Sequence, residues 1–202
     1  VYRLYDYLPS GNGYKVRLTL RYLALPYEVI EVDITRGESR TPTFLARNPN
    51  GRIPLLEVPG RGDLAESHAI IAYLANGTPL IPDDPWDAAL MWQWMCFEQY
   101  NLEPALGTAR FWLKSLGRSP VELGDRLVEK HTAARSALAV LEQGLSDRRF
   151  LVGERYSLAD IALYAYTHVA PEAGVDLEPY PAIRQWIRNV ESEPHWGPIT
   201  AH

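Results

Sequence analysis

The stretch Asn50-Gly51-Arg52-Ile53-Pro54-Leu55-Leu56-Glu57-Val58, closed by Leu64-Ala65-Glu66-Ser67, decides how the rest of this chain is read. It reads as loop, proline-led strand, tight turn, short strand and helix start. Proline has no N–H, so Pro54 suits only the first position of a strand or an edge. Proline also accounts for nearly all cis peptide bonds, which makes Ile53–Pro54 a candidate for one. Pro59-Gly60-Arg61-Gly62-Asp63 is turn chemistry. Ser67 precedes His68-Ala69-Ile70-Ile71-Ala72-Tyr73-Leu74, whose apolar residues recur at helical spacing, and so reads as an N-cap. Held extended by the following proline, Ile53 can offer its N–H and C=O to a peptide-like ligand as a strand would. The helix opening at Ser67 offers free N–H groups, a hydroxyl and a positive dipole end to a carboxylate. Glu66 beside it can take an amino group. An ordinary edge strand followed by an ordinary cap fits the same residues.

Working outward, the N-terminal residues continue the alternation of strand and helix. Val1-Tyr2-Arg3-Leu4-Tyr5-Asp6 reads as a strand and Leu8-Pro9-Ser10-Gly11-Asn12-Gly13 as a loop. The spacing of Val16, Leu20 and Leu23 predicts a helix over 14–25. Residues 27–34 read as a second strand, apolar on both faces apart from its acids and therefore expected in a sheet covered on both sides. Residues 35–40 are polar and read as a mobile loop. Thr41-Pro42 starts a short helix ending near Asn48. The order β-α-β-α-β-β-α is a small mixed sheet with helices on its faces. Asn76-Gly77-Thr78-Pro79-Leu80-Ile81-Pro82-Asp83-Asp84-Pro85 is a turn-rich break. The expected organisation is therefore 1–76 as an α/β domain, 77–85 as linker and 86–202 as an all-helical domain.

In that second part, Asp84-Pro85 is a good helix start. Pro104 is expected to kink or interrupt the first helix, loosened further by Gly107. Ser119-Pro120-Val121-Glu122 reads as a capping box opening one long helix, with His131 as a half-buried structural residue in its stripe. Tyr156-Ser157-Leu158-Ala159-Asp160-Ile161 is a second, sharper box, read as structural. After Pro194 no further helix is expected.

The motif Asn50 to Leu56 followed by Glu66-Ser67-His68-Ala69-Ile70 resembles the glutathione-binding motif of cytosolic glutathione S-transferases, here a serine-type, theta/zeta-like bacterial member. The resemblance implies a thioredoxin-like first half and an all-helical-bundle second half. It implies that Ile53, before cis Pro54, pairs with the cysteinyl backbone of glutathione and that Glu66 and Ser67 hold the γ-glutamyl end. Arg40 and Arg52 are candidates for the glycine carboxylate, which suits the fork of arginine donors. Ser10 matches the serine that serine-type members place after the first strand, and Asn12 is the reserve activator. Tyr5 and Tyr7 flank Asp6 near the position of the tyrosine-type hydroxyl. A free thiol with a pKa of about 8.5 is only about 3% thiolate at pH 7, and the thiolate is the nucleophile. Lowering that pKa by roughly 2 units takes about 2.7 kcal/mol. One hydrogen bond to a charged group supplies about 1.5–3 kcal/mol, and a helix terminus up to about 2. One hydroxyl on one helix start is enough. Tyr100, Arg110 and Phe111, with Trp112, flank Pro104 in the helix that lines the electrophile pocket of this family; simple core is the competing role for such aromatics.

The implied protein is a transferase with glutathione as co-substrate, a small hydrophobic electrophile as partner, and no metal. The family is commonly homodimeric. The net charge of −5 argues against nucleic acid, and no run reaches the roughly 18 apolar residues of a membrane helix. The N-terminus shows no signal-peptide pattern. The one cysteine, Cys96, excludes an internal disulfide and fits a reducing cytoplasm. Two alternatives stay open. One is glutathione-dependent isomerisation, since Ser10 to Arg17 partly resembles the maleylacetoacetate isomerase loop, with Gly11 and Asn12 departing from its Ser–Cys pair. The other is a non-catalytic interaction module, which predicts a degraded ligand motif.

Overall fold

A computed structural model describes residues 1–201, which form two compact units, residues 1–77 with 194–201 and residues 78–193. Among the described residues the first unit holds one four-stranded mixed sheet in the order β2-β1-β3-β4. Its elements are β1 (Tyr2–Asp6), α1 (Gly11–Tyr22), β2 (Tyr27–Glu31), α2 (Pro42–Arg47), β3 (Leu55–Val58), β4 (Gly62–Ala65) and α3 (Ser67–Ala75). β1 runs parallel to β2 and antiparallel to β3, and β3 runs antiparallel to β4. Period-two alternation sorts the side chains. Leu55 packs with Val32 and Phe44, joined by Tyr5, Ile53 and Ala65, under α2. Leu4 and Leu56, in register with each other, point the other way and are fully buried. α1 packs against α3, burying Val16, Leu20, Ile70 and Ile71.

Several elements depart from the sequence expectation. β3 begins at Leu55, so Pro54 precedes the ladder of an interior strand and withdraws no N–H from it. α1 starts at Gly11 because Ser10 caps it, its Oγ accepting from Gly13 N at 3.2 Å. β2 is an edge strand and not a doubly covered one; Ile30 is exposed and the strand stops at Glu31. Residues 34–40 fold into two 3-10 turns, the first capped by the Asp33 carboxylate through Thr35 N and Arg36 N.

The second unit is helical. α4 (Pro85–Phe97) is capped by Asp84 and continues as π-helix over Glu98–Gly107, one α-turn, α5 (Thr108–Arg110), and π-helix over Phe111–Ser115. Pro104 therefore does not break the helix. Widened turns absorb the missing N–H, and Lys130 Nζ donates to the Pro104 carbonyl at 2.8 Å. The helix after Ser119 is two helices, α6 (Pro120–Leu123) and α7 (Asp125–Leu145), split where Gly124 takes φ 51°. His131 Nε2 lies 2.8 Å from the Ala173 carbonyl, a structural contact. α8 (Leu158–Thr167) is the buried centre and α9 (Pro181–Glu191) closes the unit. Residues 194–201 carry no helix, but they belong to the first unit and not, as expected, to the helical one. Tyr14, Arg17 and Arg21 along α1 donate to the carbonyls of Gly197, Ile199 and Ala201 at 2.7, 2.8 and 2.7 Å.

Candidate functional site

Strand register alone gathers the candidate residues. Tyr5 pairs with Leu55 and Leu55 with Ala65, so the end of β1, the start of β3 and the end of β4 lie side by side at one end of the sheet. The segments issuing there are residues 7–12, Ile53–Pro54 and Glu66–Ser67. The Ile53–Pro54 bond is cis. Ile53 is half-buried, its side chain on the Val32–Phe44–Leu55 cluster and its backbone outside the paired strand.

Two helix N-termini converge on this corner. α1 opens at Ser10, whose hydroxyl accepts from Gly13 N and still carries a proton to donate. α3 opens after Glu66, which is exposed and held at φ 69°, a left-handed conformation uncommon outside glycine. Ser67 is buried and its Oγ donates to Asn12 Oδ1 at 3.4 Å, tying the two helix starts together. Lys15, fully buried, donates from Nζ to the same Asn12 oxygen at 2.9 Å and lies 3.4 Å from His68 Nε2.

Beneath the loop, the fully buried Asp6 pairs with the fully buried Arg17. Burial pushes the Asp6 carboxyl up to about 7, while the Arg17 charge and the Tyr7 N–H pull it down. Arg17 Nη2 also donates to the Leu8 carbonyl at 2.8 Å, bracing the loop that leads to Ser10. Tyr5 is occupied elsewhere: its hydroxyl donates to Glu57 at 3.1 Å, and the Arg47 guanidinium stacks 4.1 Å from its ring centre.

Arg40 and Arg52 are exposed at the rim. Arg40 Nη1 donates to the Asn50 carbonyl at 3.0 Å, beside Gly51, where φ is +61° and an added Cβ would lie 2.6 Å from that nitrogen. The Arg52 carbonyl accepts from Asn48 Nδ2 at 2.7 Å, leaving the guanidinium outward. The first-unit candidates Ser10, Asn12, Ile53, Pro54, Glu66 and Ser67 thus share one corner, with Arg52 on the loop approaching it and Arg40 bonded to that loop from the 3-10 turn before α2.

The second-unit candidates do not share one. Tyr100 lines a cavity of about 390 Å³ with Phe97, Asn101, Lys130 and Val140, and neither Arg110 nor Phe111 reaches it. Arg110 is buried, and its Nε donates to Glu172 Oε2 at 2.7 Å. That contact takes one edge of the guanidinium. Trp112 carries the Arg126 guanidinium 4.7 Å above its ring. The sequence reading missed Lys15 and the Asp6–Arg17 pair. Lys15 stands three residues after Asn12, one helical turn on the same face, which is the signal that was available.

Among the described residues no group of three or more His, Cys, Asp or Glu is placed to hold a metal, and no helix is long and apolar enough to cross a membrane.

The family model described as glutathione S-transferase, N-terminal domain, matches residues 1–76, and that for the C-terminal domain matches residues 86–194. The chain is 30% identical over 198 residues to the disulfide-bond oxidoreductase YfcG of Escherichia coli K12, covering 95% of this chain and 91% of that one. It is 32% identical over 193 residues to the maleylacetoacetate isomerase of Pseudomonas aeruginosa, covering 91% and 88%. The glutathione S-transferase structure from Pseudomonas fluorescens Pf-5 superposes with a TM-score of 0.96 at 45% identity, covering 99% of each chain. Ure2p in complex with glutathione superposes at 0.85 with 27% identity, covering 96% of this chain and 95% of that one.

Proposed function

This chain belongs to the glutathione S-transferase family, and from that premise we propose that it is a glutathione transferase acting on small apolar electrophiles. The observation carrying the proposal is the junction of two helix N-termini through Ser67 Oγ and Asn12 Oδ1, beside a cis proline. The Ile53 main chain pairs with the cysteinyl residue of glutathione. Ser67 and the α3 N-terminus take the γ-glutamyl carboxylate, and Glu66 takes its amino group. Arg40 and Arg52 take the glycine carboxylate; the former keeps guanidinium donors beyond the one given to Asn50.

These contacts set the thiol over the start of α1. Its proton leaves to solvent, and the sulfur anion is held by the Ser10 hydroxyl, the Asn12 amide and the helix dipole. The sulfur pair then forms a bond to the electrophilic carbon, and a leaving group or conjugated oxygen takes the displaced electrons. The YfcG relationship favours a second reading, in which the electrophile is a disulfide. The bound thiolate then attacks one sulfur and expels the other as thiolate, which needs no cysteine from the protein.

The test is the ultraviolet absorbance of bound glutathione thiolate against pH. Ser10→Ala is expected to raise the bound thiol's pKa by about 1–2 units, the value of one charge-assisted hydrogen bond. Asn12→Ala is expected to raise it by less. No change with Ser10→Ala would remove Ser10 from the mechanism. Absence of glutathione binding at millimolar concentration would remove the transferase reading, and relative rates with an aromatic electrophile and a small disulfide choose between the two chemistries.

We also propose a homodimer working in the cytoplasm in a detoxifying role. Trp92, Tyr100 and Val140 leave large apolar surface exposed on the α4 and α7 side of the second unit, which supports a partner there. Sedimentation at micromolar concentration is expected to give twice the chain mass; a monomer that still turns over glutathione would refute the dimer.

A further inference from the structure

We infer that Lys15 is a positioning residue, which sets the activating loop's polarity by fixing which end of the Asn12 amide faces the bound sulfur. The inference deepens the transferase reading and rests on it. The two ends of an asparagine amide are nearly the same shape, so its neighbours decide its orientation. Here two neighbours donate to the oxygen: Lys15 Nζ at 2.9 Å and Ser67 Oγ at 3.4 Å. A lysine ammonium has three protons and no lone pair, so it can face only the amide oxygen. The amide NH2 is therefore turned away from Lys15 and Ser67.

That choice matters for an anion. An NH2 donates to a thiolate and stabilises it. A flipped amide would present oxygen lone pairs to the sulfur and repel it, so Asn12 would work against ionisation. Lys15 is fully buried. Its stem runs down the packed face of α1 while Nζ reaches Asn12 one turn earlier and His68 on the first turn of α3. The amine facing this corner thus comes from α1, opposite the His68 ring on α3. Arg17, on the same helix, is turned to the buried Asp6 of β1.

A purely structural role would make Lys15 a brace between α1 and α3. The experiment separates the two. Lys15→Met and Lys15→Gln are made alone and in an Asn12→Ala background. The bound thiol's pKa is read by thiolate absorbance, and affinity for S-methylglutathione, which has no thiol, is read by calorimetry. Lys15→Met alone is expected to raise the thiol pKa by about 1 unit with the S-methylglutathione affinity retained. In the Asn12→Ala background the same change is expected to add nothing. Lys15→Gln, which can still donate to Asn12, is expected to restore most of the wild-type pKa. An unchanged pKa in Lys15→Met overturns the inference, as does an equal shift with and without Asn12. Loss of S-methylglutathione affinity in both lysine variants overturns it in favour of the brace. If the wild-type protein does not ionise bound glutathione, the transferase reading itself falls, a result distinct from all of these.

Discussion

Gly13→Ala is expected to destabilise the protein by about 3–5 kcal/mol, the cost of breaking a buried ion pair. A methyl at this position would lie 1.6 Å from Asp6 Oδ1 and 2.1 Å from its Cγ, far inside contact distance. The carboxylate cannot retreat, because Arg17 and the Tyr7 N–H hold it and both charged partners are fully buried. Either the pair separates or the first turn of α1 moves away from β1. The second route displaces Ser10 and Asn12, so bound glutathione should ionise less even in molecules that stay folded. Urea denaturation measures the stability, with Gly60→Ala as the control. Gly60 has φ +72° with nothing within 4 Å, so its substitution carries only backbone strain, about 1 kcal/mol. A Gly13 variant no less stable than the Gly60 variant would show that the pair yields easily.

The second large effect is expected at Asp160, in the helical unit. Its carboxylate is fully buried and accepts four hydrogen bonds: from Leu151 N, Ser157 N, Ser157 Oγ and Trp186 Nε1, at 3.0, 3.0, 3.0 and 2.9 Å. Burial pushes the carboxyl up to about 6, and the four donors pull against it. Asp160→Ala leaves the two backbone N–H groups and the fully buried Trp186 indole without this acceptor. At roughly 1–3 kcal/mol for each stranded donor, the loss is expected to reach about 3–5 kcal/mol. Ser157→Ala removes one hydroxyl and is expected to cost only about 1 kcal/mol. Denaturation followed by tryptophan fluorescence ranks the two variants. Equal losses would show that Asp160 is no hub. The pKa of bound glutathione should not change in either variant that folds, because neither residue belongs to the first unit.

What was legible in the sequence was what local chemistry dictates. A proline before an apolar run, Ser67 before a helical stripe, and Asp84-Pro85 each specify a backbone state within a few residues. The order of strands and helices followed from those punctuation marks. The misreadings came from tertiary effects. Gly11 and Gly13 look like loop, yet they are helix because Ser10 caps them and because Asp6 leaves no room for a side chain at Gly13. Val29 and Ile30 look like a buried strand, yet strand order puts them at an edge. Pro104 looks like a break, yet wide turns and Lys130 absorb it. Nothing local marks Lys15 as interior; the packing of α3 onto α1 makes it so. For β2, Pro104 and Lys15 the deciding partner is distant in the chain.

The carbonyls of Gly197, Ile199 and Ala201 take their hydrogen bonds from the helix that begins at Gly11. During synthesis, therefore, residues 11–22 wait on residues 194–201, which are made long after them. While the intervening residues are still being made, Tyr14, Arg17 and Arg21 lack those acceptors, and a nascent first unit should be more open to proteases than the finished one. A bulky insertion beside residues 194–201 would load the same helix that opens at Ser10, although the two segments are distant in the chain.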